Sequence, residues 1–201
     1  MSKTKAVLFD VDGVVAIAGV PFSVRYATEQ GFDPSVLKPF FSGVFQQALV
    51  GKADLKDLLE NNRDMWRWNG SIDDLMLRWL GSGDTPNAEL IELIAKIRGQ
   101  GLSCYLATNQ DKYRTAFIRE VMFPEVFDDI FSSAEIGFTK PSKEFFDSIL
   151  KKLATCNIKA SEIAYFDDER KNIDAALSLG IRSYLYANVS DVSDVLGPRA
   201  S

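Results

Sequence analysis

The sequence predicts an α/β protein: a parallel sheet with helices on both faces and a helical insert after the first strand. Three observations carry this. Beyond residue 101, short apolar runs alternate with helical stretches. One apolar run, Ala6-Val7-Leu8-Phe9, stands apart from them at the start of the chain and belongs to the same sheet. Between the two, residues 22–85 carry helical periodicity and no convincing strand. The boundaries expected from this are a core of residues 1–15 and 86–201, and an insert with hinge segments over residues 16–85.

Taken in order, Ala6-Val7-Leu8-Phe9 reads as a buried strand that runs straight into Asp10-Val11-Asp12-Gly13. Two carboxylates one residue apart repel, and burying them is costly unless something pairs them. A hard cation such as Mg2+, which takes oxygen ligands, is one such partner. A strand capped by an Asx turn, with Gly13 supplying the bend, is the other reading. Residues 16–21 form a linker. In the insert, Asp33-Pro34 opens a helix, with Asp33 as N-cap. Leu55, Leu58, Leu59, Asn62, Met65 and Trp66 follow the 3.6-residue period, and Ser71 caps a further helix. The aromatic residues Phe40, Phe41, Phe45, Trp66, Trp68 and Trp79 read first as the core of a small helix bundle.

Gly81-Ser82-Gly83-Asp84-Thr85-Pro86 is a flexible joint, with Thr85-Pro86 expected to start the next helix. That helix carries Leu90, Ile91, Ile94 and Ile97 on one face and stops near Gly99-Gln100-Gly101. Strands are then expected at residues 102–107, 130–133, 163–166 and 181–186, and helices at 111–122, 142–153 and 170–178. The tail from Asn188 reads as polar and poorly patterned.

Composition narrows the chemistry. The chain holds no histidine, which excludes Ser-His-Asp and Cys-His catalysis and histidine-ligated zinc. Proton transfer must fall to Asp, Glu, Lys, Tyr or Cys. A net charge of −5 disfavours a nucleic-acid surface. Cys104 and Cys156 make no disulfide framework, and Cys104 lies in an apolar run as a buried thiol; both fit a reducing cytoplasm. No signal peptide or membrane span is visible, so no membrane partner is expected.

In an open parallel sheet, ligands bind at the carboxyl ends of the strands. Those ends carry Asp10-Val11-Asp12, Thr108-Asn109 and Asp167-Asp168-Glu169, with Lys140 just before a helix. Each has a plain structural reading: a turn residue, a solvated lysine, acids at a helix N-terminus. Together they put acids, a hydroxyl and a lysine along one sheet edge, the equipment of Mg2+-assisted phosphoryl transfer.

The order Asp10-Val11-Asp12-Gly13-Val14, Thr108-Asn109, Lys140-Pro141 and Asp167-Asp168-x-x-x-Asn172-Ile173-x-Ala175-Ala176 resembles the haloacid dehalogenase-like hydrolase superfamily over essentially the whole chain. The resemblance is greatest to its small sugar-phosphate phosphatases and related mutases. It implies a Rossmann-like core with a C1-type cap and Mg2+ as cofactor. Asp10 would be the nucleophile, and Asp12 the acid and then the base. Thr108, with Asn109, would bind the phosphoryl group, and Lys140 would offset charge. Asp168 would be the main metal ligand, with Asp167, Asp10 and the Asp12 carbonyl completing the set. Asn172 departs from the acid that many relatives carry there and is expected to orient Lys140 or the acidic loop.

The activity so implied is a phosphomonoesterase acting on a small phosphorylated metabolite, a sugar phosphate being the candidate, in a monomer or small homo-oligomer. A phosphosugar mutase uses the same residues, and a non-catalytic metabolite-binding module could occupy the same fold. A dehalogenase is disfavoured because its chemistry has no use for Asp12 as an acid. Specificity is expected in the insert, with Gln46 and Gln47 binding sugar hydroxyls and Phe41, Phe45, Trp66 and Trp68 as stacking candidates.

Overall fold

The computed structural model describes residues 3–81 and 83–196; Ser82 of the second joint lies outside them. Strand β1 (Ala6–Phe9) is followed by β2 (Ala16–Ile17). The helices α1 (Phe22–Glu29), α2 (Lys38–Ser42), α3 (Phe45–Leu49), α4 (Leu55–Asn61), α5 (Arg63–Trp66) and α6 (Ile72–Leu80) come next. The chain returns through β3 (Thr85–Pro86), α7 (Ala88–Gly99), β4 (Ser103–Thr108) and α8 (Lys112–Phe117). It continues with β5 (Asp129–Ser132), α9 (Ser133–Ile136), α10 (Lys143–Ala154) and β6 (Ile163–Asp167). It ends with α11 (Arg170–Ser178), β7 (Arg182–Leu185) and α12 (Val189–Leu196).

The main sheet has five parallel strands in the order β5-β4-β1-β6-β7, a Rossmann-like α/β arrangement. β1 is central because its residues are apolar on both faces. Val7 and Phe9 join Leu90, Ile94 and Ile97 of α7 on one side. Ala6 and Leu8 join Phe145, Phe146 and Ile149 of α10 on the other. Burying a side chain of this size contributes about 1.5–3 kcal/mol, so the two clusters clamp the sheet between its helices. All strands point the same way, so Asp10, Asn109 and Asp168 emerge on one edge.

The helices between β2 and β3 bury a third cluster of their own, including Tyr26, Leu37, Phe40, Leu59, Trp66 and Leu75. Asp33 and Ser71 cap as expected, accepting from Ser35 N at 2.8 Å and Asp74 N at 3.1 Å, although Pro34 opens a short 3-10 turn.

Two expectations are corrected. Thr85-Pro86 does not start a helix. It pairs antiparallel with Ala16–Ile17, and Asn87 caps α7 by accepting from Leu90 N at 3.3 Å. This ribbon ties the two joints together. The stretch after Asn188 forms α12, whose Val192 is buried while Val189, Val195 and Leu196 pack against the α7 side of the core. No helix among the described residues is long and apolar enough to cross a membrane.

Candidate active site

Asp10 follows β1 directly, and its N–H extends the ladder by donating to Phe166 O at 2.9 Å. The backbone there turns tightly: Val11 O accepts from Val14 N at 3.2 Å and Ala16 N at 2.8 Å. Gly13 sits at φ +83°, and a Cβ there would lie 2.3 Å from Asp168 Oδ2. Glycine is therefore required twice, by the backbone and by the approach of the β6 loop.

Asp10 Oδ1 accepts from Val11 N at 2.7 Å and meets Lys140 Nζ at 2.7 Å. Lys140 is buried, and the same ammonium reaches Asp167 Oδ2 at 2.7 Å. Burial pushes the Asp10 carboxyl up to about 7, Lys140 opposing and Asp167 adding to the rise. The two carboxylates hold Lys140 charged despite its burial, which works the other way.

Asp167 is completely buried and is the hub of the cluster. Besides Lys140 it accepts from the Tyr165 hydroxyl, from Asn172 Nδ2 at 3.0 and 3.1 Å, and from Glu169 N at 2.8 Å. Burial would raise its pKa, but Lys140, Tyr165 and Asn172 outweigh burial and hold it below the usual value. Asn172 thus fastens the acidic loop rather than Lys140. Its Oδ1 is buried and finds no hydrogen-bond partner among the described residues.

Asp12 points away from this cluster. Gln110 Nε2 donates to its Oδ2 at 2.7 Å, and Arg114 Nη2 lies 3.9 Å from Oδ1. Its side chain is 54% exposed, yet it stands in a crevice walled by protein. That desolvation raises its pKa, with Arg114 and Gln110 opposing. Asp168 is exposed, and its pKa is raised by desolvation and by Asp167.

Thr108, at the end of β4, is buried and accepts weakly from Gln110 Nε2 at 3.3 Å. Asn109 makes a reciprocal pair with the Lys140 backbone, Nδ2 donating to its O at 3.0 Å and Oδ1 accepting from its N at 2.7 Å. Its amide therefore sets where Lys140 starts. A cavity of about 310 Å³ brings together Asp10, Asp12, Thr108, Asn109, Lys140 and Asp168.

Asp10, Asp167 and Asp168 place one oxygen each within 4.8 Å of one another, an arrangement that could hold a metal ion. Around them, Asp12 adds negative charge, while Glu169 is paired with Lys171 at 3.0 Å and Arg114 with Asp84 at 2.6 Å. The donor set is entirely hard oxygen, as Mg2+ requires.

Gln46 and Gln47 are not brought to the site. They are exposed on α3, and the Gln46 amide donates to Phe41 O at 2.8 Å. α3 turns Ala48 into the cluster of the insert instead, which leaves the glutamines on the outer face. Trp66 is fully buried in that cluster, and Trp68 Nε1 donates to Ser71 O at 2.7 Å. Phe41 and Phe45 do line a second cavity that reaches Asp12. Sequence reasoning missed Gln110, Arg114 and Tyr165. Only Tyr165 had a signal, its position two residues before Asp167 on the same face of β6.

The parallel sheet thus gathers paired acids after its first strand, a buried lysine and a second acidic loop on one edge. The haloacid dehalogenase-like hydrolase family matches residues 4–180, and the chain belongs to it. The sesquiterpene phosphatase astK of Aspergillus oryzae is 34% identical over 97 residues, 48% of each chain, so this match spans about half of that relative. The D-ribitol-5-phosphate phosphatase of Bacteroides thetaiotaomicron is 22% identical over 93% of this chain and 94% of that one. A HAD family enzyme from the same organism superposes with a TM-score of 0.81 at 20% identity, over 96% of this chain and 98% of that one. The form of that enzyme in complex with magnesium and inorganic phosphate superposes with a TM-score of 0.77 at 22% identity, over 90% and 93%.

Proposed function

We propose that this protein is a Mg2+-dependent phosphomonoesterase that works through an aspartyl-phosphate on Asp10. The observation that supports it most is the buried Lys140 ammonium, 2.7 Å from both Asp10 and Asp167 in the wall of an acid-lined cavity. Such an ammonium lowers the cost of bringing an anionic phosphate against an anionic nucleophile.

Asp10 Oδ1 is committed to Val11 N and Lys140, so Oδ2 is the oxygen that attacks phosphorus. The bond from phosphorus to the ester oxygen breaks, and Asp12 hands that oxygen its proton. Desolvation raises the Asp12 pKa, the direction that favours a proton donor. Asp12 then takes a proton from water, whose oxygen displaces Asp10 from phosphorus. Thr108 donates to a phosphoryl oxygen, and Asn109 keeps Lys140 in place. Asp168 would be the main Mg2+ ligand, joined by Asp10 and the Asp12 carbonyl. Asp167, the third acid of that cluster, would be a further ligand, direct or through water, and also holds Lys140. When bound, Mg2+ supplies positive charge that offsets repulsion between the phosphoryl oxygens and the carboxylates.

Residues 16–85 serve in this reading as a cap over a core of residues 1–15 and 86–201. The free thiols of Cys104 and Cys156 fit a reducing, cytoplasmic setting. The named relatives handle a sesquiterpene phosphate and a polyol phosphate, so their names do not choose between an apolar and a polar substrate. Gln46 and Gln47, expected to bind sugar hydroxyls, line neither cavity.

The test is phosphate release from a panel of phosphomonoesters with Mg2+. Asp10→Asn should abolish release while circular dichroism stays that of the wild type. Near wild-type release by Asp10→Asn overturns the assignment of the nucleophile.

A further inference from the structure

A second cavity, of about 290 Å³, lies between the helical insert and the sheet edge. It shares Asp12 and Ala18 with the acid-lined cavity. Its wall is mainly apolar: Phe22, Phe41, Phe45, Leu55, Met76 and Trp79. On the proposed reaction, which this inference takes as given, the ester oxygen leaves toward Asp12. The group attached to that oxygen must then enter this second cavity.

The charged side chains of the wall and Gln110 are engaged with one another or with backbone N–H groups, and Ser23 adds a single hydroxyl. Arg114 Nη2 meets Asp84 Oδ2 at 2.6 Å, and Asp84 Oδ1 also accepts from Gly19 N at 3.3 Å. Gln110 is held by Asp12 at 2.7 Å. Asp111 caps α8, accepting from Tyr113 N at 2.8 Å and Arg114 N at 3.3 Å. A polyol entering here would trade water for aromatic rings, and each unmatched hydroxyl would weaken binding roughly ten- to a hundredfold. An apolar chain meets no such loss and gains about fourfold for each methylene buried.

We infer that this cavity is the leaving-group site and that the substrate is the monophosphate of an apolar aliphatic alcohol rather than of a sugar or polyol. At roughly 30 Å³ per water-sized group, the cavity holds a chain on the order of ten heavy atoms. The overall reaction converts the phosphomonoester and water to the free alcohol and inorganic phosphate. The phosphorus–oxygen bond to the alcohol breaks, and Asp12 supplies the alcohol's proton.

The test uses two measurements on the full chain. Alkylphosphonates, whose phosphorus–carbon bond does not hydrolyse, are titrated by calorimetry in the presence of Mg2+. Affinity should rise about fourfold per methylene from butyl to octyl. In parallel, kcat/KM for alkyl monophosphates should rise with chain length and exceed that for ribitol 5-phosphate and glucose 6-phosphate. Phe45→Asn and Phe41→Asn, checked for folding by circular dichroism, should flatten both slopes. A flat wild-type slope, or a preference for polyol phosphates, overturns the inference whatever the variants do. Chain-length-dependent binding without phosphate release from any ester would instead sink the phosphatase reading and leave the cavity assignment standing.

Discussion

Replacing Gly13 by alanine probes the turn on which the site depends. Two costs can be worked from the structure. The residue sits at φ +83°, in the left-handed region, where a side chain costs about 1–2 kcal/mol. The new Cβ would also stand 2.3 Å from Asp168 Oδ2, so that carboxylate must withdraw by about 1 Å to regain ordinary contact. Asp168 is exposed and free to swing aside, so the second cost falls on function rather than on stability. In a chain of this size each kcal/mol shifts Tm by about 2–4 °C, giving an expected drop of about 2–8 °C. With Asp168 as the proposed Mg2+ ligand, its displacement should raise the Mg2+ concentration for half-maximal phosphate release at least about tenfold. Thermal unfolding and a Mg2+ titration of activity read the two effects separately. The expected Tm drop with unchanged Mg2+ dependence would refute Asp168 as a ligand. An unchanged Tm would refute the strained turn itself.

Three further outcomes are expected. EDTA should silence phosphate release and Mg2+ restore it, whereas Ca2+, with its larger and looser shell, should not; recovery with Ca2+ would argue against a site built for Mg2+. Tyr165→Phe removes a hydrogen bond to the buried Asp167 carboxylate and should lower stability at pH 7 by about 1.5–3 kcal/mol. Because Asp167 is held below its ordinary value of 3.8, its stabilisation is present above that pH and lost as pH falls through the lower folded value. The gap between variant and wild type in urea unfolding should therefore narrow below about pH 4; an equal gap at pH 7 and pH 3 would contradict this. Cys104 is buried, which pushes its thiol up to about 12, while Cys156 is exposed. A thiol reagent at pH 8 should modify Cys156 alone in the native protein and both thiols after unfolding; prompt labelling of Cys104 would refute the burial.

The sheet was legible because each of its strands is a run of apolar residues whose neighbours in sequence are helices. β1 and β6 are buried on both faces and read as continuous apolar stretches. Two short elements escaped for physical reasons. A two-residue strand such as Thr85–Pro86 has no period to detect, and a proline after threonine also describes a helix start. α12 spaces Val189, Val192, Val195 and Leu196 at helical intervals, but serine and aspartate fill the remaining positions and hide the pattern.

The acid-lined cavity was legible for a related reason. Parallel strands deliver their carboxyl ends to one edge, so residues that follow strands meet without any need to know side-chain geometry. Asp167 and Asp168 show where that reasoning stops. Adjacent residues after a strand face opposite ways, and only the alternation that pairs Tyr165 with Asp167 reveals which acid turns inward to Lys140. The second cavity had no such rule. Its wall comes from the loop before α1, from α1, α2, α3, α4 and α6, and from the start of α8, segments whose helical periods say only that each has an apolar side. An amphipathic helix does not disclose whether that side meets its own bundle or a space left for a ligand. Trp66 and Phe45 illustrate the difference: both are aromatic and helical, yet one closes the cluster and the other borders the cavity beside Asp12. On the proposed function, the chemistry of the reaction is thus written in strand ends, while the choice of substrate lies in how the insert packs against them.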